Sequence, residues 1–287
     1  MMFAGQGVAI KYLDRQLGPF QITFLPFIPA TGLMLPLLVR ARRAPQQHDI
    51  TAMDWGRFIV AGLGNVVAQM GLVAGITRSL ASNAAVITLT LPVVSTLLAA
   101  VMLGEKITRV RVSALVIGLL GVLLLSAESV RESALIDMRY LVGNMLILVG
   151  ITGSAFYNVY CKGLFERFSQ LEVLIWSYVV TSIVGLILLF WLEPTGLRFF
   201  ASFTWLSWLG FGYQAIITYT VAMLLFFQAL KHLDVSTASL SLYLLPVFGV
   251  ILAAILLGER LSALAIIGSG VVLTSTLIIV KFDVGAV

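Results

Sequence analysis

Four sets of uncharged polar residues in this 287-residue chain recur at helical spacing inside apolar runs. Asn65 and Gln69 are four apart. Ser154, Tyr157, Asn158 and Cys161 follow the i, i+3, i+4, i+7 pattern of one helix face. Gln214 and Thr218 are again four apart, and Ser236, Ser239, Tyr243 and Pro246 share a further face. Amides and phenols so placed hydrogen-bond an amino, carboxylate or hydroxyl group, while aromatic neighbours enclose the apolar part of a solute. That is recognition chemistry rather than bond-breaking chemistry. Asn65, Gln69, Tyr157, Asn158, Gln214, Ser239 and Tyr243 are therefore the candidate substrate-binding residues. Each has a plainer reading. Ser and Thr in an apolar helix ordinarily bond their own backbone or a neighbouring helix, and a tyrosine hydroxyl can bridge helices. The amides of Asn65, Gln69, Asn158 and Gln214 are costlier to bury.

The elements that carry these residues belong to a membrane. The chain is 60% hydrophobic and 11% charged, with a mean hydropathy of +1.05, against about 25% charged for a soluble domain. Such a composition cannot cover a water-facing surface, and a bilayer-spanning helix needs roughly 20 apolar residues. Ten apolar runs are expected: Met1–Tyr12, Phe20–Val39, Phe58–Ile76, Ser82–Leu103, Val112–Ser126, Tyr140–Cys161, Val173–Leu192, Trp205–Leu230, Ser236–Leu257 and Ala263–Val280. The first is too short to cross, so the first helix is shortened, either as a partial span or because the natural start lies upstream. Pro26, Pro29 and Pro36 kink the second run. Glu193, Pro194 and Gly196 break the chain between the seventh and eighth, flanked by Trp191, Trp205 and Trp208 as interfacial anchors.

The fourth and ninth runs are versions of one another. Ser82–Glu105 and Ser236–Glu259 align at a constant offset of 154, with about 11 of 24 columns identical. Pro92 pairs with Pro246, Gly104 with Gly258 and Glu105 with Glu259. Pro92 and Pro246 are expected as helix kinks, and the two glutamates as anchors at helix ends. The polar stretch Ala127–Arg139 marks the boundary, so the chain divides into five-helix repeats over 1–130 and 136–285. An odd number of spans per repeat makes the second copy enter from the opposite side. The expected fold is thus all-α and integral to the membrane, with about ten transmembrane helices as two inverted repeats, a frequent plan for secondary transporters.

Charge supplies orientation and excludes some functions. The net charge of +5 sits in loops, so it reads as topology and not as a nucleic-acid footprint. With both termini cytoplasmic, the 18 basic residues split about 11 inside to 7 outside. No Asp, Glu, Lys, Arg or His falls clearly inside a run, which argues against proton coupling through a buried carboxylate and fits neutral or zwitterionic solutes. A membrane-embedded enzyme would need clustered acid/base or metal-binding groups. His48 and His232 lie in loops, and Cys161 is the sole cysteine. No catalytic residue, metal or cofactor is therefore expected. The expected partners are a small-molecule substrate and membrane lipid, and a homodimer is compatible with the chain.

The paired helices ending in Gly104-Glu105-Lys106 and Gly258-Glu259-Arg260 resemble the EamA-type repeat of the drug/metabolite transporter superfamily. Val8-Ala9-Ile10-Lys11-Tyr12 resembles the end of that family's first helix. Gln228-Ala229-Leu230 before Ser236-Thr237-Ala238-Ser239 resembles its junction of helices eight and nine. The resemblance covers nearly the whole chain. It implies ten helices in two inverted repeats, a central cavity walled by helices three, four, six, eight and nine, and export or exchange of small metabolites such as amino acids in the cell (inner) membrane. A lipid-carrier flippase on the same fold is the alternative.

Overall fold

The computed structural model describes residues 9–10, 13, 16–41, 50–193, 203–248, 251 and 263–282. Among them all regular structure is helical. Seven helices are long and apolar enough to cross a membrane: α1 (Pro19–Ala41), α2 (Ala52–Ile76), α3 (Ser82–Leu103), α5 (Leu141–Leu164), α6 (Gln170–Leu192), α7 (Trp205–His232) and α9 (Ala263–Phe282). Between them lie α4 (Arg109–Leu125), of 17 residues, and the apolar α8 (Val235–Phe248). The expectations for Met1–Val8, Lys11, Tyr12, His48, Pro194, Gly196 and Gly258-Glu259-Arg260 fall outside the described residues. Side chains such as Val101 and Trp191, 84% and 87% exposed, face outward as bilayer-facing surface.

Proline shapes three of these helices, because it lacks an N–H and clashes with the preceding turn. α1 is divided at Leu25–Pro26 into Pro19–Phe24 and Phe27–Ala41. α3 is interrupted at Leu89–Thr90, just before Pro92, and resumes as Leu91–Leu103. α8 tightens into a 3₁₀ turn at Ser241–Tyr243, just before Pro246. These last two interruptions stand at matching places in the two aligned segments. The middle of α7, Tyr213–Ala222, is wound as a π-helix, a form frequent at functional positions. Tyr219 of that stretch stacks on Phe27 of α1, with ring centroids 4.2 Å apart.

Glycine sets the closest helix crossings. A Cβ on Gly71 of α2 would lie 2.5 Å from the Gly150 backbone nitrogen of α5, and one on Gly75 would meet the Ile147 nitrogen at 2.7 Å. α4 and α9 meet likewise: a Cβ on Gly268 would stand 2.5 Å from the Leu125 nitrogen. Small residues let backbones approach where lipid offers no hydrophobic drive between helices.

The polar boundary stretch is pinned to the bundle. It forms a short helix, Ala127–Glu132. Asn83 Oδ1 then accepts from the Ala134 N–H at 2.7 Å, and the Asn144 side-chain amide donates to the Leu135 carbonyl at 3.0 Å. The Arg139 guanidinium, hydrogen-bonded to Asp137, holds that carboxyl below its usual range.

Candidate functional site

A cavity of about 220 Å³ opens among five helices. Its polar wall comes from Asn65 and Gln69 on α2 and from Ser154, Tyr157 and Asn158 on α5. Its apolar wall comes from Leu91 on α3, Met223 and Phe226 on α7, and Leu242 and Leu245 on α8. These are the helices expected as the third, fourth, sixth, eighth and ninth runs. Asn65 sits one residue past the midpoint of the 25-residue α2, so the cavity lies near mid-helix depth.

The polar wall divides into held and free groups. The Asn65 amide donates to Thr181 Oγ1 of α6 at 3.2 Å, and the Gln69 amide reaches Asn65 Oδ1 at 3.5 Å. Thr181 is itself bonded to the Ser177 carbonyl at 2.9 Å. Tyr157 Oη lies 2.9 Å from Ser177 Oγ, and Ser177 Oγ donates to the Leu174 carbonyl at 3.0 Å. Ser177 therefore accepts from Tyr157. A row of α6 side chains thus fixes the rotamers of two wall residues, Asn65 and Tyr157, and Asn65 in turn holds Gln69. Ser154 and Asn158 have no hydrogen-bond partner among the described residues, although Asn158 is only 7% exposed. Four apart on α5, they face the cavity as its unengaged polar pair.

The remaining sequence candidates lie elsewhere. Gln214 is buried in the π-helical part of α7, nine residues from Met223 and so at most about 13 Å of axial rise away. Ser239 is fully buried, and the Tyr243 ring packs into the space left by Gly118 of α4. None of the three lines this cavity. Gln214 Oε1, Thr218 Oγ1, Ser239 Oγ and Tyr243 Oη have no partner among the described residues. Ser236 of the same stripe donates its hydroxyl to Glu105. Pro92 and Pro246 follow the helix interruptions described above. Sequence reasoning missed the apolar wall and the supporting Ser177 and Thr181. The only signal for the latter pair was their i, i+4 spacing within α6.

Most of the ion pairs among the described residues gather at one end of the bundle. Gly104 ends α3 with φ of +69°, a left-handed conformation that favours glycine. The chain then aims Glu105 at the start of α8. Its carboxylate accepts from the Val235 N–H at 2.7 Å, the Ser236 N–H at 3.2 Å and the Ser236 hydroxyl at 2.9 Å. Lys162 Nζ of α5 is 3.3 Å away and also bonds the Leu233 carbonyl. Arg111 of α4 pairs with Asp234. The buried Asp54 carboxylate, in the first turn of α2, pairs with Arg57 at 3.2 Å and with Arg167 at 3.0 Å. Helix termini thus answer these charges, while the cavity itself is uncharged. At the opposite end Glu193 accepts from the Phe20 and Gln21 N–H groups at the start of α1.

The multi-pass helical bundle encloses a small uncharged polar cavity, an architecture in keeping with a membrane transporter. The comparisons give the family. The chain matches the EamA-like transporter family over residues 1–127 and again over 141–281, and it belongs to that family. An uncharacterized transporter of Clostridium kluyveri is 25% identical over 93% of this chain and 86% of its own length. A protein of Streptantibioticus cattleyicolor named "Probable terminal-alkyne amino-acid exporter" is 24% identical over 85% of this chain and 77% of its own. One solved crystal structure superposes with a TM-score of 0.81 over 99% of this chain and 94% of that one at 15% identity, a likeness of fold alone.

Proposed function

We propose that this protein is a secondary carrier that exports small amphipathic metabolites, amino acids among them, by alternating access through the cavity between two inverted five-helix repeats. The observation that carries this reading is the two-sided cavity. Ser154 and Asn158 are free to bond an amino or carboxylate group, and Leu91, Met223, Phe226, Leu242 and Leu245 face the solute's apolar part. Its volume of about 220 Å³ lies below the roughly 300–1,000 Å³ of drug-sized sites, which favours a small solute over a lipid carrier. Asn65 and Tyr157 shape the site through their bonds to α6, and Gln69 through its bond to Asn65.

The two family matches and the paired interruptions before Pro92 and Pro246 support the repeat plan. The two matches fall on either side of the boundary stretch, in keeping with repeats over 1–130 and 136–285. The basic residues support a cytoplasmic placement of the charged end and of both termini. The relatives are named transporters, which supports a non-enzyme. Counterflow in proteoliposomes tests the function. Liposomes preloaded with each of a panel of amino acids should take up the labelled partner, with or without a proton gradient. No exchange by folded protein for any neutral or zwitterionic solute refutes the reading.

A further inference from the structure

We propose that two grooves on the bilayer-facing surface bind anionic phospholipid, one headed by Arg40 and the other by Arg109. The first, about 570 Å³, runs along α1 past Gly32, Leu35, Pro36 and Val39 to Arg40. The second, about 420 Å³, runs along α4 from Arg109 past Val112, Ser113, Val116 and Ile117, with Ile107 beside its head. Each is a single i, i+3, i+4, i+7, i+8 stripe. α1 runs toward the charged end of the bundle and α4 away from it. The arginine is therefore last in one stripe and first in the other, yet both stand at the same membrane face.

Length and charge name the occupant. Each groove runs over eight helical steps, about 12 Å of rise, close to the ~15 Å half-thickness of a bilayer's hydrocarbon core. One acyl chain of one leaflet matches that length, with its phosphate at the guanidinium. The walls are otherwise apolar, since the Ser113 hydroxyl is bonded to the Val110 carbonyl at 2.8 Å. A Cβ on Gly32 would meet nothing within 4 Å, so the groove is open there. Arg57, Arg111, Lys162 and Arg167 at this end all have carboxylate partners. Arg40 and Arg109 have none within 4 Å among the described residues. A guanidinium fork suits phosphate oxygens. Phosphatidylcholine would bring its own cation to the same place, and an apolar helix would leave both arginines without a counter-charge. The inference rests on membrane embedding and not on the identity of the solute.

Native mass spectrometry of the full chain, titrated with equal amounts of phosphatidylglycerol and phosphatidylcholine, tests it. The wild type should retain two phosphatidylglycerols, each preferred about fivefold, the effect of about one basic residue at an anionic surface. R40Q and R109Q should each lose one preferred lipid and the double variant both. K281Q, which removes an exposed cation over the Phe282 ring, should keep both. Equal binding of the two lipids by the wild type, an undiminished preference in the double variant, or a second copy of the chain seated where lipid does not displace it overturns the proposal. Should a variant fail to fold, the wild-type comparison decides alone.

Discussion

Replacing Glu105 with Ala should destabilise the protein by about 3 kcal/mol through a contact 130 residues away in sequence. The Glu105 side chain is 7% exposed and acts as the cap of α8, because Asp234, which precedes that helix, makes no side-chain cap bond. Loss of a helix cap costs about 0.5–2 kcal/mol. Removing one partner of a buried ion pair costs about 3–5 kcal/mol. The second figure is reduced here, since Lys162 is 19% exposed and keeps Asp234 at 3.7 Å and the Leu233 carbonyl. About 3 kcal/mol remains, which lowers the melting temperature by roughly 6–12 °C on the scaling of larger soluble domains. Glu105→Gln retains an acceptor oxygen and loses the charge, so its effect should be about 1 kcal/mol. Cys161 is the sole cysteine and is buried, so a thiol-reactive fluorogenic dye reports unfolding during a thermal ramp. A Glu105→Ala protein that melts within about 2 °C of wild type would refute the capping account. So would strict additivity with Lys162→Met, because residues in contact should couple.

Gly71→Ala should destabilise by about 1–3 kcal/mol, since its Cβ would meet backbone rather than a side chain that can turn away. Gly270→Ala, with nothing within 4 Å of its Cβ, should be neutral or stabilise by up to about 1 kcal/mol, and the same thermal ramp compares them. Asn158→Ala should weaken exchange about tenfold, and Gln69→Ala should reduce it too, with little loss of membrane expression. Exchange at wild-type rates in both variants would remove these residues from the site. Pro246→Ala should slow turnover more than it weakens apparent affinity, and loss of affinity alone would contradict a kink that bends during transport.

Much of the bundle was legible because it rests on local properties. Runs of apolar residues locate spans whatever the neighbours are, and Pro92 and Pro246 interrupt their own helices through their own missing N–H groups. The stripes of α2 and α5 were equally legible, since Asn65 with Gln69, and Ser154 with Asn158, need only helical period to share a face. The other half of the site was not legible. Its wall on α7 and α8 is Met223, Phe226, Leu242 and Leu245, which are indistinguishable in sequence from residues that face lipid. The polar residues nearby, Gln214, Ser239 and Tyr243, drew attention instead.

Composition and periodicity by themselves determined that this is a membrane protein, where most of its helices run, and which residues share a face. They act through hydropathy and a fixed rise and turn per residue, which need no partner. Only the tertiary structure decided which faces oppose one another. The approach of α2 to α5 at Gly71 and Gly150, the packing of Tyr243 against Gly118, and the delivery of Glu105 to the start of α8 are contacts between distant segments. Their geometry depends on the depth and rotation of each helix against its neighbours, and a helix's own sequence does not encode those two quantities.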